Sequence, residues 1–313
     1  MSAVLPFARP AALARRLPRR PEGTRLAAFA LAGLGAAVFA GLVALFAAQS
    51  LPAWREAGLG YLAGTRWFYR AREFGALPMV YGTFVVSAVA LAVAAPLGLG
   101  AAICTAELLP RRARLLVKLA VELLAAVPSV VYGLLGVLLL RGWVARLLAP
   151  WEPLSGDTLL TAGLLLAVMV LPTVTTLADD ALRGVPAAAR EGARALGLNQ
   201  SEAIVAVVLR QARPGLLSAV LLGLGRALGE TIAVFLIVGR QDNQWPERLL
   251  SFAPLAGAGQ TLTTKLGSSE AFIAYGDPLH WGALVGLGLV LLVMVGGVSI
   301  AGAWLAAGGR ARA

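Results

Sequence analysis

The sequence has few of the side chains on which metalloenzymes and disulfide scaffolds depend. Its 313 residues contain one cysteine, Cys104, and one histidine, His280. One cysteine cannot form a disulfide framework within the chain, and one histidine excludes both the HExxH zinc helix and a histidine cluster. We therefore expect this chain to bind no metal ion and no cofactor of its own.

Motifs of common enzyme classes are also missing. There is no GxSxG sequence of the kind that presents a serine nucleophile. The two lysines occur as LVKLA (Lys118) and TTKLG (Lys265), so the GK[ST] phosphate loop of ATPases is absent. An intramembrane hydrolase would need a nucleophile–base pair, and no motif supplies one. His280, beside Trp281, is interpreted as a residue at the membrane interface. The sequence therefore does not indicate an enzyme.

Charge is scarce as well. Charged residues make up 14% of the chain and hydrophobic residues 59%, whereas a soluble globular protein has about 25% charged residues. Several apolar runs reach the roughly 20 residues that a helix needs to cross a bilayer. The runs are continuous rather than alternating, which excludes a transmembrane barrel. We predict an all-α polytopic membrane protein with six spans, at about 26–48, 79–105, 117–140, 158–178, 215–239 and 282–306.

The basic residues predict the orientation. With the N-terminus in the cytoplasm, 17 of the 27 Lys and Arg fall in cytoplasmic segments and 9 in outer loops. By the positive-inside rule both termini are cytoplasmic, and the net charge of +11 is a topology signal. A nucleic-acid partner is not expected, because no polar domain presents the charge. The predicted domains are a basic tail (1–25), a membrane domain (26–306) and a short tail (307–313).

A charged pair interrupts the fifth span. Arg226 and Glu230 lie in GRALGETIAVFLIVG, and an arginine at mid-bilayer costs about 2.5 kcal/mol or more, so it should face protein or a water-filled path. At i, i+4 on one helix the two side chains can pair, which would make them structural. Alternatively, the guanidinium fork matches two oxygens of an oxyanion. Thr231 adds a hydroxyl, although in a helix this group often bonds to its own backbone.

The inner loop over residues 179–214 is too long for a plain turn. Pro186 can begin a helix, the residues after it are good helix formers, and Gly197 can end it in the left-handed conformation. Ser201 is expected to cap a second helix that runs toward Pro214. The sequence therefore predicts two short helices joined at a glycine and facing the cytoplasm.

This loop resembles the EAA loop of ABC-importer permeases. Glu191, Gly192 and Ala193 are followed by Gly197 at the family spacing. The resemblance implies that the loop is the coupling helix, which sits in a groove of the ATP-hydrolysing subunit. Small residues at positions 192 and 193 would let the partner's backbone approach closely.

The loop departs from the family pattern at three positions. Gly192 replaces the first alanine, Val207 replaces isoleucine, and Arg210 stands where the motif has proline. The first two changes are mild. Arg210 weakens the second half of the motif, for which Pro214 could provide a comparable break before the fifth span.

Four segments in order extend the resemblance to most of the chain from about residue 67 onward. They are EFGALPMVYGTFVVS (73–87), VPSVVYGLLG (127–136), EGARALGLNQSEAI (191–204) and GLGRALGETIAVFLIVG (223–239). Together they resemble the PstC-type permeases of phosphate ABC importers. The resemblance implies a type I importer (MetI-like) fold, an inner-membrane location and a non-catalytic transport subunit for inorganic phosphate.

The resemblance also implies the partners. These are a PstA-like permease, two copies of a PstB-like ATPase that bind ATP and Mg, and an external PstS-like phosphate-binding protein. Arg226 and Glu230 would then be important for phosphate movement, with Thr231 beside them. Gly223, Gly225 and Gly229 would allow close helix packing, here against the partner permease. Two alternatives stay open: another oxyanion as cargo (phosphonate, sulfate or molybdate), and a membrane signalling scaffold that reports phosphate status.

Overall fold

The computed structural model describes residues 22–151, 155–246 and 252–310, and the prediction of an all-α fold is confirmed. Within these ranges the α-helices are α1 (Glu22–Ala57), α2 (Gly60–Ala63), α3 (Leu77–Ile103), α4 (Arg111–Ala126), α5 (Ser129–Leu135), α6 (Arg141–Leu147), α7 (Leu159–Arg183), α8 (Ala187–Ala195), α9 (Gln200–Ala203), α10 (Leu209–Gly229), α11 (Ile232–Ile237), α12 (Ala253–Ala256), α13 (Leu262–Leu266), α14 (Glu270–Ala274) and α15 (Pro278–Arg310). Two short strands, β1 (Trp67–Phe68) and β2 (Glu73–Phe74), pair antiparallel.

Six helical segments of the described chain are long and apolar enough to cross a membrane. They are Gly23–Ala57, Leu77–Leu108, Ser129–Leu147, Leu159–Arg183, Gln200–Gly229 and Pro278–Ala307. The predicted number of spans is therefore confirmed. Of the predicted tails (1–25 and 307–313), residues 1–21 and 311–313 lie outside the described residues, while 22–25 and 307–310 belong to α1 and α15.

The third predicted span, 117–140, is wrong in its position. The helix that begins at Arg111 ends at Ala126, and the span that follows begins at Ser129. Val127 is extended because the ring of Pro128 disfavours the helical conformation in the residue before it. The amphipathic helix α4 and the spanning helix are thus separate elements, and no side chain of α4 is fully buried.

The fifth span also differs from the prediction of 215–239. It begins at Gln200, passes through a π-helical turn at Ile204–Val208 and ends at Gly229. Pro214 lies inside α10 and does not break the helix as expected, since neighbouring groups in a bundle can compensate for the missing hydrogen bond. The break occurs instead at Glu230.

Contacts divide the chain into two units, residues 1–45 and 46–313. The described part of the first unit is the start of α1, whose large apolar side chains are exposed, including Leu26, Phe29, Leu31 and Leu34. Exposed apolar side chains along a whole helix are typical of a surface in contact with lipid.

The core of the second unit lies where α3, α7 and α10 meet. Small residues bring these helices close: a Cβ added to Gly163 would lie 2.5 Å from Val89, and one added to Gly98 would lie 3.0 Å from Val174. Close approach of backbones at small residues is the usual way in which membrane helices pack. These three helices form the frame that positions the segments described below.

Part of the outer loop predicted over 240–281 folds back into the bundle. Every residue from Gln260 to Lys265 is buried. The backbone N–H of Leu262 donates to Thr83 Oγ1 at 2.9 Å, and a capping box between Thr261 and Thr264 starts α13. We call residues 259–267 the re-entrant segment.

Gly82 is required for this arrangement, because a Cβ at this position would lie 2.1 Å from the carbonyl oxygen of Gln260. We expect Gly82→Ala to lower the free energy of unfolding by about 1–3 kcal/mol, the usual cost of overpacking. Gly100 of the same helix is the matched control, since its Cβ would meet nothing within 4 Å. Thermal unfolding of the purified subunit tests the prediction: equal midpoints for the two alanine variants would contradict it.

Candidate functional site

The break at the end of α10 separates the charged pair that the sequence placed on one helix. Glu230 is extended (φ −71°, ψ 126°) and α11 begins only at Ile232. The i, i+4 pairing of Arg226 and Glu230 therefore has no helix to support it, and among the described residues the two side chains form neither an ion pair nor a hydrogen bond. Arg226 is exposed and Glu230 partly exposed.

The backbone at the break is hydrogen-bonded by the re-entrant segment. Thr263 Oγ1 donates to the carbonyl oxygen of Glu230 at 3.0 Å, and the Thr231 hydroxyl donates to the Gly229 carbonyl at 3.4 Å. Non-helical backbone at membrane depth occurs where it is buried in protein or lines a water-filled cavity. Discontinuous helices of this kind form the solute sites of many transporters.

A second helix lies beside the break. Tyr132 of α5 is within electrostatic range of Arg226, and its hydroxyl donates to the carbonyl oxygen of Leu124 at 2.7 Å. Gly133 brings α5 against α11, since its Cβ would lie 2.6 Å from Leu236. The guanidinium of Arg226 therefore lies near the phenol of Tyr132, and within the described residues none of its N–H groups donates a hydrogen bond.

The glycines of α10 differ in their surroundings. A Cβ at Gly223 would lie 2.7 Å from Val174 of α7, and a Cβ at Gly225 would lie 3.1 Å from the Ser299 hydroxyl of α15. Within this chain, α7 and α15 are thus the neighbours of these two glycines. Gly229 has nothing within 4 Å of its Cβ position, and it leaves open space beside the break.

At the other end of the bundle the loop over 179–214 contains the predicted short helix after Pro186 (α8), whereas the second predicted helix, which begins with α9, is the start of the fifth span. Pro186 is the residue before α8, and Gly197 has φ +85°. The cap of the second helix is Asn199, whose side chain forms a capping box with Glu202, and not Ser201. Asn199 is favoured over Ser201 as the cap because its backbone N–H also donates a hydrogen bond to the Glu202 carboxylate.

The EAA-like residues lie on the surface of this loop. Glu191, Gly192 and Gly197 are exposed and Ala193 is buried. A Cβ on Gly192 or Gly197 would meet nothing within 4 Å. The exposed face of α8 is thus free of other parts of the described chain.

Two polar contacts fix α8 and α9 to the ends of the spans. Arg190 forms an ion pair with Glu107 at 2.8 Å and donates to the carbonyl oxygens of Leu182 (2.8 Å) and Val185. Gln200 Nε2 donates to the Glu107 carbonyl at 2.8 Å. These contacts connect α8 and α9 to the ends of α3 and α7.

A buried aspartate joins three helices at the same end. Asp179 of α7 is 3% exposed and accepts from Thr105 at 2.9 Å, from Arg183 at 2.6 Å and from Lys118 at 3.0 Å. The sequence analysis did not single out these residues. The i, i+4 spacing of Asp179 and Arg183 is the one signal it contains, because the other two partners come from different helices.

The opposite end of the bundle holds a second buried ionic cluster. Lys265 is 1% exposed and pairs with Asp242 at 2.8 Å and with Glu270. Trp67 Nε1 donates to Glu270 Oε1 at 2.5 Å, and His280 Nε2 lies 2.8 Å from the same oxygen. Although burial opposes ionisation, hydrogen bonds from Lys265, Trp67 and His280 hold the pKa of Glu270 below its usual range.

His280, at the start of α15, is buried within the protein. It is 2% exposed and stacks on Tyr69 with ring centroids 5.3 Å apart. Among the residues that the structure describes, no group of three His, Cys, Asp or Glu is arranged to hold a metal ion.

Comparison with known proteins is consistent with this geometry. Residues 94–307 match the family described as binding-protein-dependent transport system inner membrane component. The chain is 35% identical over 280 residues to the phosphate transport system permease protein PstC of Mesorhizobium japonicum, covering 84% of this chain and 80% of the relative. It is 37% identical over 239 residues to PstC 1 of Mycobacterium bovis, with 71% and 69% covered.

The fold is similar to that of a solved importer. An inward-facing structure of the MetNI methionine ABC transporter contains a chain that aligns with a TM-score of 0.51 at 17% identity, covering 74% of this chain and 90% of that one. At this identity the likeness concerns the fold alone, and the predicted MetI-like fold is confirmed.

Proposed function

The chain belongs to the family of binding-protein-dependent transport system inner membrane components, and from this premise we propose that it is the PstC-type permease subunit of an ATP-driven importer of inorganic phosphate. As a permease it is a transport subunit and not an enzyme. The names of its relatives, at 30–37% identity over most of the chain, support phosphate as the cargo.

The observation that carries the proposal is the exposed guanidinium of Arg226 beside the helix break at Glu230. A guanidinium binds phosphate oxygens through a planar fork of donors and stays charged at every physiological pH. Because no carboxylate of the described chain neutralises Arg226, the full charge is available to an anion. Thr231 and the open space at Gly229 lie on the same stretch of backbone.

Glu230 prevents Arg226 from binding phosphate too tightly for release. A fixed cation alone would retain a doubly negative anion, and a nearby carboxylate weakens that retention by repulsion. It can also accept the proton of a phosphate O–H group. Thr263 holds the backbone carbonyl of Glu230, so the re-entrant segment, and not an ion pair with Arg226, fixes the backbone that carries this carboxylate.

The remaining subunits follow from the type of transporter. A PstA-like permease completes the path, and two PstB-like ATPases, which bind ATP and Mg, engage the exposed face of α8 at Glu191 and Gly192, whereas Ala193 faces inward. An external PstS-like protein delivers phosphate at the opposite end. Both termini are then cytoplasmic in the bacterial inner membrane, with ATP hydrolysis driving alternation between outward and inward access.

Uptake into liposomes that contain the full complex tests this function. We expect ATP-dependent accumulation of radiolabelled phosphate that requires the binding protein and that is not displaced by excess sulfate, molybdate or phosphonate. Vesicles with ADP in place of ATP are the control. Preferential accumulation of one of the competing oxyanions would show that the architecture is right and the cargo wrong.

A further inference from the structure

A cavity of about 470 Å³ lies beside Lys265, the buried lysine of the second ionic cluster. Its position follows from α7: Gly259 packs against Leu159 at one end of this helix, whereas α8 follows the other end at Arg183. The cavity is therefore at the end of the bundle opposite the coupling helix. Its polar lining includes Arg240, Asp242, Gln260, Lys265, Ser269 and Glu270.

The two carboxylates that neutralise Lys265 are held differently. Glu270 accepts hydrogen bonds from Trp67, His280 and Lys265, and its side chain is 13% exposed. Asp242 is bound by Lys265, and its side chain is 39% exposed. Because Asp242 is the more exposed of the two carboxylates and Lys265 is its one ion-pair partner among the described residues, Asp242 is the partner that an incoming anion can displace.

The loop that carries Asp242 is in an unusual conformation. Gly239, Arg240 and Asn243 all have positive φ, at 86°, 51° and 61°. For residues with a Cβ this conformation costs about 1 kcal/mol or more and persists where the surroundings impose it. Asp242 therefore lies in a strained segment, which hydrogen bonds from Trp67 N–H to Asn243 Oδ1 (2.6 Å) and from Gln241 N–H to the Gly259 carbonyl (3.1 Å) hold in place.

A buried amide oxygen without a hydrogen-bond partner among the described residues belongs to a residue that lines this cavity. Gln260 is 5% exposed and lines the cavity, yet its Oε1 atom is buried and has no hydrogen-bond partner within the described residues. A buried acceptor without a donor is unfavourable by about 1–3 kcal/mol and is rare in folded proteins. A ligand that carries an O–H group would satisfy it.

We propose that this cavity is an outer phosphate-binding station of the permease. Lys265 and Arg240 bind phosphate oxygens, the Gln260 amide accepts the hydrogen of a P–O–H group, and Asp242 occupies Lys265 while the station is empty. Once Asp242 moves away, two cations face one carboxylate, so the site favours an anion. The inference rests on the proposed function, because phosphate is the ligand that it assigns.

The station is connected to the helix break by the re-entrant segment. Thr263, two residues before Lys265, donates to the Glu230 carbonyl. Displacing Asp242 frees one side of Lys265 and so loosens the segment that holds the break. A phosphate ion that leaves the binding protein would therefore meet Lys265 before it meets Arg226.

Protection of a cavity cysteine tests the station in the complete complex. The chain has a single cysteine, so Cys104→Ser followed by Ser269→Cys gives one reactive thiol in the cavity lining. Its labelling by a membrane-impermeant thiol reagent is followed by mass spectrometry of this chain. Inorganic phosphate, compared with chloride at equal ionic strength, is expected to slow the labelling.

Two variants in this background measure the assigned roles. Asp242→Asn should lower the phosphate concentration that gives half-maximal protection by about threefold, which corresponds to the free energy of an ion pair with a partly exposed partner. Gln260→Leu should raise that concentration by about tenfold, because it removes the hydrogen-bond acceptor. Asp157→Asn is the matched control: Asp157 pairs with Arg141 at 3.4 Å near the same end of α7 but outside the cavity, so no change is expected.

The outcomes separate the station from the proposed function. If the cysteine variant imports phosphate but phosphate does not protect it, the station is wrong and the proposed function stands. The station is also wrong if all three variants shift protection equally. If the wild-type complex imports no phosphate, the function itself fails.

Discussion

Arg226→Gln is expected to abolish phosphate uptake while the complex still assembles and hydrolyses ATP. Glutamine preserves the helix and a polar side chain, but it is shorter and removes the charge and the bidentate fork. Hydrogen bonds to charged groups contribute about 1.5–3 kcal/mol each, so losing two of them at the path predicts a fall in uptake rate of about a hundredfold or more. Within the described residues the substitution removes no ion pair and no hydrogen bond, because Arg226 forms neither.

Uptake and ATPase activity are measured in the same liposomes. Arg146→Gln is the control, since Arg146 is exposed on α6 away from the helix break, and it should leave both activities unchanged. If Arg226→Gln transports phosphate normally, or if it only lowers the melting temperature of the complex, Arg226 is structural and the path runs elsewhere.

The number of spans was predictable because hydropathy over about 20 residues reflects the cost of exposing polar groups to lipid. The residues at which the spans begin and end were less predictable. The apolar content of residues 117–140 conceals two helices of different character, and Pro128 was the available signal for the division. The opposite error concerns Pro214, which the bundle tolerates inside α10. Proline marks a boundary only where the neighbouring helices do not compensate for it.

The break at Glu230 could not be predicted from local sequence. GETIA contains no proline, and the free carbonyl of Glu230 is bonded by Thr263, 33 residues later in the chain. The charge of Arg226 was enough to indicate a functional position, because an arginine in an apolar run is costly. The geometry around Arg226 could not be predicted in the same way, since the ion pair expected at i, i+4 depends on a continuous helix.

The two buried ionic clusters were missed for a related reason. Lys265 gathers partners from distant segments, among them Asp242, Glu270 and, through Glu270, Trp67. Such a cluster leaves no spacing in the sequence. One weak signal was present: Lys265 is one of only two lysines in a chain rich in arginine. A lysine binds as a point charge and exchanges partners more easily than the rigid arginine fork, which suits a station that releases its anion.

Gly192→Leu is expected to uncouple the permease from its ATPases without unfolding it. The Cβ of residue 192 would meet nothing within 4 Å, and leucine stabilises an exposed helix by up to about 1 kcal/mol relative to glycine. The subunit should therefore be at least as stable as the wild type. In the assembled transporter, however, the added side chain enters the groove that receives α8, and overpacking there predicts at least about a tenfold loss of ATPase binding.

Gly192→Ala separates this effect from a general intolerance of substitution, because alanine restores the residue that EAA loops carry at this position. It should import phosphate at the wild-type rate, while Gly192→Leu loses both uptake and co-purification of the ATPase. If the leucine variant keeps its ATPase and transports normally, the face of α8 at Gly192 does not meet the ATPase. The coupling contact would then lie elsewhere on the loop, with Arg190 and its ion pair to Glu107 as the remaining connection between that contact and α3.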